Sequence, residues 1–143
     1  MEKLEIIFFP MITMPQKTTL LEIIAEAKFH SVNNHITDKN FPLISIGKVA
    51  NVVLLRGNMT SCLAIDNIKQ LGYIPAITQV IIGLKSVSNI QEYCPIIGPG
   101  SVWIDAEGKE RVPAVWGDNT RINLYLDWFF MKHTCYFAGF QEQ

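Results

Sequence analysis

Between Gly57 and Ile104 the chain carries only four charged side chains, Asp66, Lys69, Lys85 and Glu92. A stretch this poor in charge either packs into a core or leaves an apolar face for a partner. Within it, apolar residues recur at helical spacing twice. Thr60 or Ser61 caps a helix whose Ala64, Ile65, Ile68 and Leu71 form one face, and Gly72 stops it. After Tyr73-Ile74-Pro75, Thr78 caps a second helix through Val80, Ile81 and Leu84 to about Ser86. Any fold for this chain has to be built around that helical pair.

The flanks have different periods. Lys3 to Phe9 is a β-branched and aromatic run closed by Pro10, a strand. Thr19-Leu20-Leu21-Glu22 is a capping box, and Leu20, Ile23, Ile24 and Ala27 continue a helix to about Phe29. His30 to Pro42 is a polar, Asn-rich loop long enough to imply a role. Lys48 to Leu55 is a second strand, with Arg56-Gly57-Asn58 as its turn. Gly98-Pro99-Gly100 forces a turn after Pro95 to Ile97. Short strands then follow at Ser101–Ile104, Arg111–Trp116, Ile122–Trp128 and Cys135–Phe140, joined by turns at Ala106–Lys109 and Gly117–Thr120. Helices early and hairpins late predict an α+β domain over residues 1–143, with two or three helices packed on a small, mainly antiparallel sheet. The last four strands are expected to form that sheet, with the Thr19 and Thr60 helices on it.

Composition removes several classes of function. Twelve Lys plus Arg against thirteen Asp plus Glu give a net charge of −1, without the basic surplus of a general nucleic-acid binder. Hydrophobic residues at 49% and charged residues at 17% exclude intrinsic disorder. Cys62, Cys94 and Cys135 have no CxxC or CxxH spacing, so reduced thiols are expected rather than a disulfide scaffold. No apolar run approaches the ~18 residues that span a bilayer. The opening MEKLEIIFFPMITMP, broken by Glu2, Glu5 and Pro10, has the pattern of a strand rather than a secretory signal. The expectation is a cytoplasmic protein without a membrane partner.

Chemistry has few places to reside. No Lys follows Gly98-Pro99-Gly100, so the segment lacks the ammonium of a phosphate loop. The two central helices have a helix-turn-helix outline, but Gln79 and Lys85 alone cannot read DNA. His133-x-Cys135 is one bidentate unit on a strand face, and nothing else has ligand spacing, so neither metal nor cofactor is expected. A small Cys/His-dependent enzyme of unknown substrate is the alternative, with Cys135 as nucleophile and His133, His30 or His35 as base. Asp105, Glu107, Asp118 and Asp127 sit at or beside turns, whose chemistry explains them.

The aromatic residues carry more information. From Ser101 onward the chain holds nine of its fifteen aromatics, more than one face of a four-stranded sheet can bury. The predicted working surface has Trp116, Tyr125 and Trp128 as anchors and Asn33, Asn34 and His35 as polar companions. The function expected is a non-catalytic binding or inhibitor-type protein using this aromatic-rich C-terminal sheet. Its partner is a protein, or a small ligand, and not nucleic acid. Compact proteins of this kind, encoded by phages and mobile elements, occupy surfaces of host proteins. The oligomeric state is not legible.

The motifs also carry a resemblance. Val32-Asn33, Ile36-Thr37 and Asn40-Phe41-Pro42, then Gly72-Tyr73 with Pro75-Ala76 and Thr78, form the first two of its blocks. Pro95-Ile96, Gly100-Ser101-Val102-Trp103 and Arg111-Val112-Pro113 form the third, and Leu124 to Trp128 with Phe137 to Phe140 close it. Together, over residues 19 to 140, they resemble an uncharacterised family of short bacterial proteins. Tyr136 and Gln141 stand where that pattern has an arginine nearby. The resemblance implies a shared fold and no activity. The GSVW strand and aromatic closing strand also resemble C-type-lectin-like domains.

Overall fold

The computed structural model describes residues 4–9, 19–118 and 120–143, with the side chain of His133 left outside that description. Lys3 and Pro10, which bound the first expected strand, and Asn119 of a predicted turn also lie outside the described residues.

Chain order is β1 (Glu5–Phe9), α1 (Leu20–Ala27), β2 (Ser31–Val32), β3 (Val49–Met59), α2 (Ser61–Gln70), β4 (Ile74–Pro75) and α3 (Thr78–Gly83). Two 3-10 turns, Leu84–Ser86 and Ile90–Tyr93, lead to β5 (Ile96–Ile97), β6 (Trp103–Ile104), β7 (Glu110–Gly117), β8 (Ile122–Trp128) and β9 (His133–Glu142). The strands make one sheet in the order β1-β3-β9-β5-β7-β8-β2, with β4 added to β9 and β6 to β7. The architecture is α+β with a mainly antiparallel, mixed sheet. Its parallel pairs are β2 with β8 and β5 with β9.

Both faces of the sheet are apolar because inner strands alternate between two buried sides. On one face Val52, Leu54, Ile96, Val115, Leu124, Ala138 and Phe140 pack beneath Leu20, Ile23 and Ile24 of α1 and Val80 and Ile81 of α3. On the other, Val53, Leu55, Ile97, Val112, Ala114 and Phe137 meet Ala64 and Ile68 of α2. The two capped helices therefore pack on the sheet from opposite sides. Every residue of α3 is buried, whereas α2 exposes Cys62, Leu63, Asp66, Lys69 and Gln70. The charge-poor stretch is thus half core helix and half covering helix.

Several local expectations change. The last strands are not a run of hairpins. β7 and β8 pair antiparallel from Arg111–Trp128 to Gly117–Ile122, but β9 leaves β8 and becomes the central strand, pairing β3 antiparallel and β5 parallel. Arg56-Gly57-Asn58 is not a turn, because β3 continues through it opposite Tyr136, Cys135 and Thr134. Gly57 is there for space: a Cβ on it would lie 2.8 Å from Cδ2 of Leu4. Thr78 does not cap α3. The N-cap is Ile77, and Oγ of Ser101, brought from the chain after the Gly98-Pro99-Gly100 turn, accepts the Thr78 N–H at 2.9 Å. That turn is structural, since the Gly100 N–H donates to the Ala76 carbonyl at 2.8 Å and a Cβ on Gly100 would strike Pro75 and Ala76.

The 30–42 loop is likewise tied into the fold. Ser31 and Val32 form β2 against Asn123 and Leu124, and the Asp38 carboxylate accepts the Leu20 and Leu21 N–H groups at 2.6 and 3.4 Å. Asp38 thereby supplements Thr19, whose Oγ1 accepts the Glu22 N–H at 3.2 Å, in satisfying the orphan donors of the first turn of α1.

Candidate functional site

The β7–β8 hairpin places the expected anchors through its register. Trp116 stands opposite Asn123, Ala114 opposite Tyr125 and Val112 opposite Asp127. Ala114 and Val112 belong to the core beneath α2, so Trp116, Asn123, Tyr125 and Asp127 share that face. On this face α2 packs against β3, β4 and β9. Trp116 is 54% exposed, while Tyr125 is half-buried against the core. Across the sheet edge the Ser31 hydroxyl donates to Oδ1 of Asn123 at 2.7 Å, extending the row to β2.

The Asp127 carboxylate is bonded to the half-buried Tyr125 hydroxyl. Burial first, then the bonded Asp127 carboxylate, raise the Tyr125 phenol well above the usual tyrosine range, so it stays protonated. The neighbouring thiols are also held protonated. Burial and then Asp127 push Cys135 up to about 12, and burial pushes Cys94 up to about 11 against an opposing Gly117 N–H. A thiol shifted upward is a poor nucleophile and a poor ligand. Among the described residues no three His, Cys, Asp or Glu side chains gather in a metal-binding arrangement.

The other expected residues go elsewhere. Trp128 is half-buried on the α1/α3 face, since it pairs with Arg111, which also pairs with Trp103 of that core. The Arg111 guanidinium lies 4.2 Å above the Trp128 ring and Lys109 Nζ lies 5.3 Å from it. Arg111 also forms an ion pair with Asp105 at 3.6 Å and donates to the Leu126 carbonyl at 3.0 Å. Trp128 is therefore a cation-stacked strut. His35 is exposed but stacks on Trp103 at 5.0 Å, on that same face. Asn33 is half-buried: its N–H donates to the Leu124 carbonyl at 2.9 Å and its Oδ1 accepts the His35 N–H at 2.9 Å. Asn34 is exposed beside them.

The structure therefore brings Trp116 and Tyr125 together and leaves Trp128 and His35 on the opposite face. It adds Asn123 and Ser31, and it places Asp127, expected beside a turn, within β8 opposite Val112. The predicted turn at Gly117–Thr120 does not give this register; the observed pairing of Gly117 with Ile122 puts Asn123 opposite Trp116. What this arrangement offers is non-covalent. An exposed indole stands beside amide and hydroxyl groups, over a rigid apolar sheet. No protein-family model, curated protein or solved structure matches the chain.

Proposed function

We propose that the protein is a non-catalytic binding module that engages a protein partner through the Trp116 face of the β7–β8 hairpin. The observation that carries this reading is the 54% exposure of Trp116 on a strand whose neighbours are core residues. A large indole left in water on a rigid strand is favourable for an interface, because its rotamer entropy is low and its buried area in a complex is large. Asn123, Ser31 and the Tyr125–Asp127 pair supply directional bonds around it. The raised Cys94 and Cys135 thiols weigh against the thiol-enzyme alternative.

The test places a photo-crosslinking residue at position 116 and, as a control, at exposed position 21 on α1, across the sheet. A protein captured at 116 and not at 21 is then titrated against wild type and Trp116→Ala. The expected loss is about 2 kcal/mol or more, a Kd rising roughly thirtyfold, with Tm almost unmoved. Equal capture at both positions, or an unchanged Kd, defeats the reading.

A further inference from the structure

We infer that the chain forms a symmetric dimer in which β1 pairs antiparallel with β1 of a second copy. The two outer edges of the sheet are treated differently. At the β8 edge, the Ile122 and Leu124 carbonyls point outward and accept from His30 and Asn33. Alternation puts the Leu126 carbonyl and the Trp128 N–H on the same edge. Arg111 donates to the first at 3.0 Å, and Oδ1 of Asp127 accepts from the second at 2.8 Å. Past β2, side chains thus occupy backbone groups that would otherwise recruit another strand.

Among the described residues β1 has no such guard. It pairs with β3 from Glu5–Arg56 to Phe9–Val52 without a register shift, and among the described residues nothing bonds its outer edge. Ile6 and Phe8, 40% and 59% exposed, project on the α2 face, where Phe8 meets Tyr73 at 6.1 Å between ring centroids. The single charge of the strand, Glu5, lies on the other face and accepts the Tyr136 hydroxyl at 2.8 Å.

The strand is complementary to itself. Full antiparallel overlap of Glu5–Phe9 puts a two-fold axis at Ile7. Ile6 then faces Phe8 of the second copy and Phe8 faces its Ile6, so four exposed apolar side chains cover one another. Glu5 falls opposite Phe9, so the two carboxylates are never juxtaposed. A foreign strand would satisfy the backbone edge equally well but would need matching apolar residues at alternate positions, which the chain's own β1 already has.

Sedimentation equilibrium on the full chain tests this, with a dimer expected for wild type. Ile6→Lys and Phe8→Lys are expected to sediment as monomers with unchanged circular dichroism, while Trp116→Ala stays dimeric. A second measurement does not depend on those variants folding. In a Cys62→Ser background, chains carrying Ile6→Cys are mixed with chains carrying Phe8→Cys. Opposed strand residues, ~4.5–5.5 Å apart at Cα, are within disulfide reach. A mixed disulfide in excess of either homodisulfide is expected. A monomeric wild type overturns the proposal, as does a dimer that survives both lysine variants or yields no mixed 6–8 disulfide.

Discussion

Cys94 and Cys135 differ from Cys62 in what surrounds them. Cys62 is exposed on α2, whereas Cys94 donates to the Ile90 carbonyl at 3.5 Å and Cys135 lies in the core beneath α2. Their thiols titrate at about 11 and about 12, so they remain protonated where an ordinary cysteine begins to ionise. The expected outcome is one iodoacetamide adduct per native chain at pH 8.5, on Cys62, and three after denaturation, counted by intact mass. The two tryptophans of the hairpin part company in the same way. Trp128→Ala removes packing and two stacked cations, so its expected cost is roughly 2–3 kcal/mol in urea unfolding. Trp116→Ala is expected to cost well under 1 kcal/mol in the same measurement. If the two variants unfold alike, Trp116 belongs to the core and the proposed interface loses its anchor.

At the scale of elements, caps and turns are the most informative features. Thr19 and Thr60 cap α1 and α2 as their sequences predict, Gly72 adopts φ +83° after α2, and the Ile122–Trp128 strand keeps its expected limits. The two caps and the Gly72 stop are local signals whose partners lie within four residues. Contacts from distant partners leave no such local signal. The carboxylate of Asp38 completes the α1 cap from 18 residues away, and Ser101 serves α3 from 23 residues away. Asp38→Ala is accordingly expected to cost about 1–2 kcal/mol and to raise amide exchange across the first turn of α1. Undisturbed exchange there would mean that Thr19 alone suffices. Of the candidate site, exposure of at least one of Trp116, Tyr125 and Trp128 is legible because the C-terminal aromatics outnumber the core places for them, and Trp116 is the one exposed. Trp128 lies on the opposite face from Tyr125 because the two are three residues apart on β8, whereas the stacking of His35 on Trp103 joins distant segments and leaves no periodic trace.

For the whole molecule the decisive fact is that β9, which follows every other described strand in the chain, lies inside the sheet. β9 joins β3 on one side to β5 and β4 on the other, and it supplies Phe137 to one core and Phe140 to the other. A chain ending at Lys132 is expected to lose its cooperative thermal transition altogether, as read by near-ultraviolet circular dichroism. Retention of a sharp transition would show that the β5–β7–β8 half folds independently.

The same topology sets a waiting time. At ~5–20 residues per second, a ribosome takes roughly 4–15 s to travel from Met59 to His133. Throughout that interval β3, with Val52, Val53, Leu54 and Leu55, lacks β9, its partner on the side away from β1. That side of its apolar run stays open until β9 is made, so neither core can close before Phe137 and Phe140 arrive.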